Sequence, residues 1–154
     1  MANVWVEVDG DEEARRKIAQ LLLLVSDLRA FWPLVVPLFS QWMARQFSSE
    51  GAFGGQPWAP LSPAYAAYKA QAHPGKTILI AEGDLRQAAS RPHRQASPRQ
   101  LTLTITDPKV GYHQEGTTKM PARPLLFDTL PAQAQVELNA AAETYVTGLV
   151  RRLF

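Results

Sequence analysis

The sequence predicts an α+β fold: a small, mainly antiparallel sheet packed against long N-terminal helices, kinked near Pro33 and Pro37, and a C-terminal helix. Three observations carry that expectation. Leu101 to Thr106 reads Leu-Thr-Leu-Thr-Ile-Thr, the alternation of a strand with one buried face. Ile18, Leu21, Leu22, Val25, Leu28 and Trp32 recur at the spacing of one helix face. Leu138, Ala142, Tyr145, Leu149 and Leu153 form a second such stripe, and Arg151 and Arg152 complement the negative end of that helix dipole. With 154 residues, 46% of them hydrophobic, a single domain over residues 1–154 can bury a core of useful size.

Taken in order, Val4 to Val8 alternates as a short strand, broken by Asp9-Gly10-Asp11. Asp9 with Glu12 matches a helix-start box, and Glu12 and Glu13 suit the positive end of a helix dipole. Proline removes a backbone donor and clashes with the preceding turn, so either a helix stops near Phe31 and another starts at Pro33, or one long helix kinks there. Val35, Phe39, Trp42, Met43, Gln46 and Phe47 continue a largely apolar face, and the two helices, or one bent one, are expected to carry much of the core.

Gly51 to Pro63 is a loop by composition, yet it holds Phe53, Trp58 and Leu61, which must pack on their own domain or on a neighbour. Ser62-Pro63 opens a short helix through Tyr65, Tyr68 and Lys69, ended by His73-Pro74-Gly75. Thr77 to Ala81 reads as a short apolar, strand-like run and Gly83 to Ala89 as a turn or two of helix. Pro92 to Ser97 is expected to pair with the Leu101 strand across a turn at Pro98-Arg99. Gly111 to Pro124 reads as a second loop and Pro131 to Phe154 as helix.

The chain has no cysteine, which excludes disulfide frameworks, thiolate zinc sites and thiol nucleophiles and suits a reducing compartment. Met1 to Gly10 has neither a basic start nor a long apolar stretch, so no secretory signal is expected. The most apolar run, Leu21 to Val25, meets Ser26, Asp27 and Arg29, far short of the roughly 18 apolar residues of a membrane span, and a soluble protein is expected. Net charge is only +2, but between Asp84 and Asp107 there is no acid, while Arg86, Arg91, Arg94 and Arg99 fall inside that window. Such a segment can be a solvated hairpin or can meet nucleic acid or an acidic protein surface. It contains no aromatic for base stacking, so any DNA contact would be electrostatic and unspecific.

Tests for chemistry find no site. Gly75-Lys76-Thr77 resembles the end of a phosphate loop, but Ala70 stands where the pattern needs glycine. His73, His93 and His113 lie in separate segments without metal-ligand spacing, so no metal or other cofactor is expected. No Gly-x-Ser-x-Gly elbow is present, and the carboxylate pairs Glu12/Glu13 and Glu82/Asp84 sit where helix starts want acids. A non-enzyme is the expectation.

What remains distinctive is Phe53-Gly-Gly-Gln-Pro-Trp-Ala-Pro-Leu-Ser-Pro63, Ile78-Leu-Ile-Ala-Glu-Gly-Asp-Leu-Arg-Gln-Ala-Ala-Ser90, Tyr112-His-Gln-Glu-Gly116 and Met120-Pro-Ala-Arg-Pro-Leu-Leu126. In this order and spacing they resemble the phage virion morphogenesis family, the tail completion proteins that include the Mu-type G protein. That pattern has a helical N-terminal half, a Trp-x-Pro-Leu loop leading to a helix with a Lys, then Leu-x-x-x-Gly-x-Leu, His-Gln-x-Gly, Pro-x-Arg-Pro and a C-terminal helix. Here it covers about residues 12 to 150.

The resemblance implies a structural virion protein at the neck of a tailed phage, assembled in the host cytoplasm. It would be a tail completion or head–tail joining component forming a homo-oligomeric, hexameric ring against tail-tube, connector or portal-side proteins. Phe53, Trp58, Leu61, His113, Gln114 and Arg123 are the expected subunit contacts, with Trp58 as a plug of its own core the alternative. Arg123, between Pro121 and Pro124, is expected to pair with a carboxylate inside the domain or across the interface. Arg86, Arg91, Arg94 and Arg99 would face tail tube, portal-side neighbours or DNA in the lumen. Two other roles remain open: a head morphogenesis factor or minor capsid component, and a nucleic-acid-binding module using the basic window.

Overall fold

The computed structural model describes residues 12–154, so the expected strand Val4–Val8 and the capping role of Asp9 lie outside the described residues. Within them the fold is α+β and mostly helical, with six α-helices and one two-stranded antiparallel sheet.

Helix α1 (Glu12–Ser26) opens on Glu12 and Glu13, and Lys17 pairs with Glu13 one turn on. It ends at Ser26 because Asp27 leaves helical geometry and its carboxylate caps the 3-10 turn Leu28–Ala30 through the Arg29 amide. Helix α2 (Trp32–Ser48) begins at once, with Pro33 in its first turn, where a missing donor costs nothing. There are therefore two helices, and the break falls a few residues before the prolines. Pro37 sits inside α2, but both prolines are exposed, which leaves the freed carbonyl on the solvent side.

The core forms on the second half of α2. Met43, Phe47, Trp58, Leu85, Ala89, Val110 and Leu125 make one buried cluster, with Phe39, Ile78 to Ile80, Ile105 and Phe127 around it. Helix α6 (Ala132–Leu153) runs antiparallel along α2: Glu137 takes bonds from Trp42 and Arg45, and Tyr145 packs its ring on Phe31. The Arg45 bond first, then the Trp42 bond, holds the Glu137 carboxyl below its ordinary pKa. Of the predicted α6 stripe only Leu149 is fully buried, and the others lie half-exposed.

One expectation about the core is corrected. Helix α1 buries no residue, and Leu22 and Leu23 are 62% and 71% exposed, so the core rests on α2 without it. Four consecutive leucines and a valine cannot all face one neighbour on a helix, and α6 covers only one side of α1.

Strands β1 (His93–Ala96) and β2 (Leu101–Thr104) pair with His93 opposite Thr104 and Ala96 opposite Leu101, joined by the expected Pro98-Arg99 turn. The tip of this hairpin hooks onto the α1–α2 junction: Leu28 N donates to Pro98 O and Trp32 Nε1 to Ser97 O. Helices α3 (Pro63–Ala72) and α4 (Asp84–Ser90) match the sequence reading, and Ser62 caps α3 by accepting from Tyr65 N.

Two further expectations fail. Thr77 to Ala81 is not strand-like: it turns, with Leu79 in the left-handed region at φ 61°. The segment read as a loop from Gly111 begins inside helix α5 (Lys109–Glu115), started by Asp107, whose carboxylate accepts from Lys109 N. Its Val110 is pulled into the core, which outweighs the helix cost of Gly111.

Candidate functional site

The two unusual loops lie side by side, and the residues expected at a subunit contact are mostly what ties them together. Trp58 is only 5% exposed, packs edge-on against Phe47 at 5.6 Å and donates its indole N–H to Pro124 O at 2.8 Å. The ring plugs its own core, which corrects its assignment as an outward contact. Gly51 makes room for it: a Cβ there would stand 2.5 Å from Trp58 Cδ1, at a φ of 91°. Gln46 adds a second strut, donating to Pro124 O and accepting from Gly54 N.

Arg123 is also 5% exposed, and its partners are not carboxylates. Its Nε donates to Ala59 O at 2.7 Å and its Nη2 to Pro60 O at 2.8 Å, so one guanidinium fork stitches the Pro121–Pro124 turn to the Trp-x-Pro-Leu loop. Gln114 does the same for the next stretch, its Oε1 accepting from the amides of Leu125 and Leu126. Gly116 permits the turn between them, since a Cβ there would meet Ala122 N at 2.7 Å. Phe53 is half-buried, edge-on to Phe127 at 5.8 Å and beneath the Arg45 guanidinium.

With the loops so fixed, a cleft of about 950 Å³ opens between α3, residues 79–85, α5 and residues 117–123. Its walls are largely apolar: Leu61, Tyr65, Leu79, Ile80, Leu85 and Met120. Into this surface come Lys69, His113 and Arg123, with Lys109 and Lys119 also on the lining. Lys69 is buried to 5% exposure and donates to Thr77 O. Burial first, and the nearby Arg123 charge, lower its pKa, while Glu50 opposes the shift from beyond ion-pair distance. Among the described residues neither Lys69 nor Arg123 has a carboxylate within 4.0 Å. Two acids also line the cleft: Asp84 faces the lining Lys109 at 3.9 Å, and Glu82 lies 3.7 Å from His73.

His113 lines the same cleft, and its Nδ1 is buried without a hydrogen-bond partner. Burial, then the Arg123 charge, lowers its pKa from the ordinary 6.5. Below that ordinary value the unfolded chain takes a proton that the folded chain refuses. The stability His113 contributes is thus complete above pH 6.5 and falls as the pH drops through its lower folded value. Urea midpoints should decline between pH 7 and pH 5, and His113→Asn should flatten that decline (pH titration of denaturation).

Of the expected contacts, then, the fold brings Leu61, His113 and Arg123 to one cleft and turns Trp58, Gln114 and Phe53 to other tasks. Arg86, Arg91, Arg94 and Arg99 are all exposed, on α4, its C-terminal cap, β1 and the hairpin turn. Reading the residues missed Lys69 as a buried group, although the resemblance pattern includes a lysine on that helix. Gln46 had a visible signal, a polar residue within an otherwise apolar stripe. Among the described residues no group of three or more His, Asp or Glu could hold a metal, and no helix is long and apolar enough to cross a membrane. No family model, curated protein or solved structure matches the chain.

Proposed function

We propose that this chain is a structural component of a tailed phage virion that completes the tail or joins it to the head, acting as a ring of identical subunits in the neck. The observation that carries the reading is that apolar surface is left uncovered at two separated places. One is α1, where Ile18, Leu22 and Leu23 are more than half exposed; the other is the cleft beside α3 and α5. Two different patches on one chain are what a head-to-tail contact uses, and repetition of such a contact closes a ring. Exposed apolar residues rimmed by charges are costly in an isolated subunit and useful in an assembly. The order of the Trp-x-Pro-Leu, His-Gln-x-Gly and Pro-x-Arg-Pro stretches adds support, because Trp58, Gln114 and Arg123 are the side chains that hold the loops in shape. No catalytic role is proposed for any residue.

The test is deletion of the gene from the phage genome that carries it. Accumulation of complete heads and complete tails that do not join is the expected result. Absent or malformed heads would instead indicate the head morphogenesis role. A second reading, a nucleic-acid module, draws on the four exposed arginines, none of which has an ion pair among the described residues. Duplex DNA binding that weakens steeply with salt would favour that reading over the neck.

A further inference from the structure

The alternating run Leu101 to Thr106 is longer than the strand it forms. Strand β2 stops at Thr104, opposite His93, because its partner runs out: Arg91 already caps α4, its N–H bonded to Ala88 O. Ile105 follows with no strand beside it, although its side chain packs on the core cluster. Among the described residues the hairpin is the whole sheet, so both of its strands are edges. Two strands alone make a marginal sheet.

The turn fixes which backbone groups are free. Ser97 N donates to Gln100 O at 2.8 Å, so these two residues are a hydrogen-bonded pair. The alternation of an antiparallel ladder makes Gln95 with Thr102 and His93 with Thr104 the next such pairs. The N–H and C=O groups of Leu101 and Leu103 therefore point away from β1, and none of them bonds to another described residue. On the opposite edge the outward groups are those of Arg94 and Ala96.

The two edges differ in charge. Pairing the outward groups of Arg94 with those of the same strand in another copy sets Arg94 opposite or diagonal to itself, within about 8 Å. An exposed charge of this kind blunts an edge against further pairing, and Arg91 and Arg99 flank it. The β2 edge has no such guard. From Gln100 to Thr106 the chain carries neither a charge nor a proline, and its Leu, Thr and Ile residues include the types most favourable in strands.

We infer that β2 pairs edge to edge with β2 of a second copy, antiparallel about a two-fold axis at Leu103, to give a four-stranded sheet. Leu103 then lies opposite Leu103, Leu101 opposite Ile105, and Thr102 opposite Thr104. Apolar meets apolar on the half-buried face, and threonine meets threonine on the exposed one. The outward groups coincide in this register and form about six ladder hydrogen bonds, with Ile105 gaining the partner it lacks. A slip of one residue sets leucine against threonine and turns groups already bonded to β1 toward the neighbour. The two Arg94 side chains fall on the outer strands, three strand spacings or about 14 Å apart, where salt screens them. The contact is isologous and uses neither α1 nor the cleft, so it goes beyond the ring contacts proposed above.

The chain has no native cysteine, so a single introduced thiol reports the axis. The full-length Leu103→Cys protein should form a reducible dimer on mild oxidation, because Cα atoms paired at about 5.5 Å suit a disulfide. Thr102→Cys carries the more exposed thiol, yet it should stay monomeric on the same gel, since it lies opposite Thr104 of the second copy and not opposite itself. Thr102→Lys/Thr104→Lys alters only exposed positions and sets like charges across the axis. It should halve the mass of the full-length protein in sedimentation at equal concentration, with circular dichroism unchanged. No dimer from Leu103→Cys, or an unchanged mass for the lysine variant, would overturn the contact. Equal or greater linking of Thr102→Cys would overturn the two-fold at Leu103. None of these outcomes alters the deletion phenotype by which the neck reading is judged.

Discussion

Trp58→Ala should cost about 4 kcal/mol of folding stability, within the range for removing a large aromatic from a core. The indole is 5% exposed and touches the Phe47 ring, so its removal leaves a void that Gly51, on the floor beneath it, cannot fill. Pro124 O keeps its bond from Gln46, which means the loss is chiefly one of packing and not of an orphaned carbonyl. Total stabilities of small domains are on the order of 5–15 kcal/mol, so the variant should be partly unfolded in mild urea. Trp58→Phe, which keeps most of the packing but not the N–H, should lose about 1–2 kcal/mol. Urea denaturation of the isolated subunit measures both. Had Trp58 been an outward contact, Trp58→Ala would leave the subunit's midpoint unchanged and remove only its self-association. An unshifted midpoint would therefore show that Trp58 is not a plug of its own core.

Arg123→Ala should cost about 1–3 kcal/mol, because a buried guanidinium and its two charge-assisted bonds, to the Ala59 and Pro60 carbonyls, would be lost. Arg123→Lys should recover little. An ammonium on a flexible stem does not reproduce a planar fork that reaches two adjacent carbonyls at once. The damage should be local before it is global, with the chain around Ala59 to Leu61 becoming the first point of cleavage in limited proteolysis. If the alanine variant matched the parent in urea and in protease resistance, Arg123 would not be the tie between the loops. Attention would then return to a carboxylate on another subunit.

Both variants act on residues that composition alone made conspicuous, and both show how a conspicuous residue can be assigned the wrong partner. Trp58, Gln114 and Arg123 stood out because large or charged side chains in Gly- and Pro-rich loops need something to hold. Whether that something is a neighbour or the adjacent loop depends on how residues more than 60 apart in the chain meet, and no local pattern contains that information. Lys69 shows the reverse case. On a short helix of alanines and tyrosines it reads as a solvated lysine, and it is buried because the turn carrying Thr77 folds back over it.

Elements set by near neighbours were legible. The β1–β2 hairpin follows from alternation and a Pro-Arg turn, α3 from Ser62-Pro63 as cap and first turn, and α6 from its stripe and terminal arginines. Errors came where tertiary contact overrode local preference. Val110 drew a glycine-containing stretch into α5, and the turn at Leu79 broke an apolar run that would otherwise extend. Helix α1 was correctly expected as a helix and wrongly expected as core, since periodicity reports that a face is apolar and not that anything covers it.

By itself, then, the sequence determined the α+β class, the main helices, the hairpin and its turn, because propensity, capping and periodicity act over a few residues. Only the tertiary structure decided that the two loops brace one another and that Lys69, His113 and Arg123 line one apolar cleft. Those outcomes depend on desolvation and packing among groups distant in the chain, which are properties of the assembled fold.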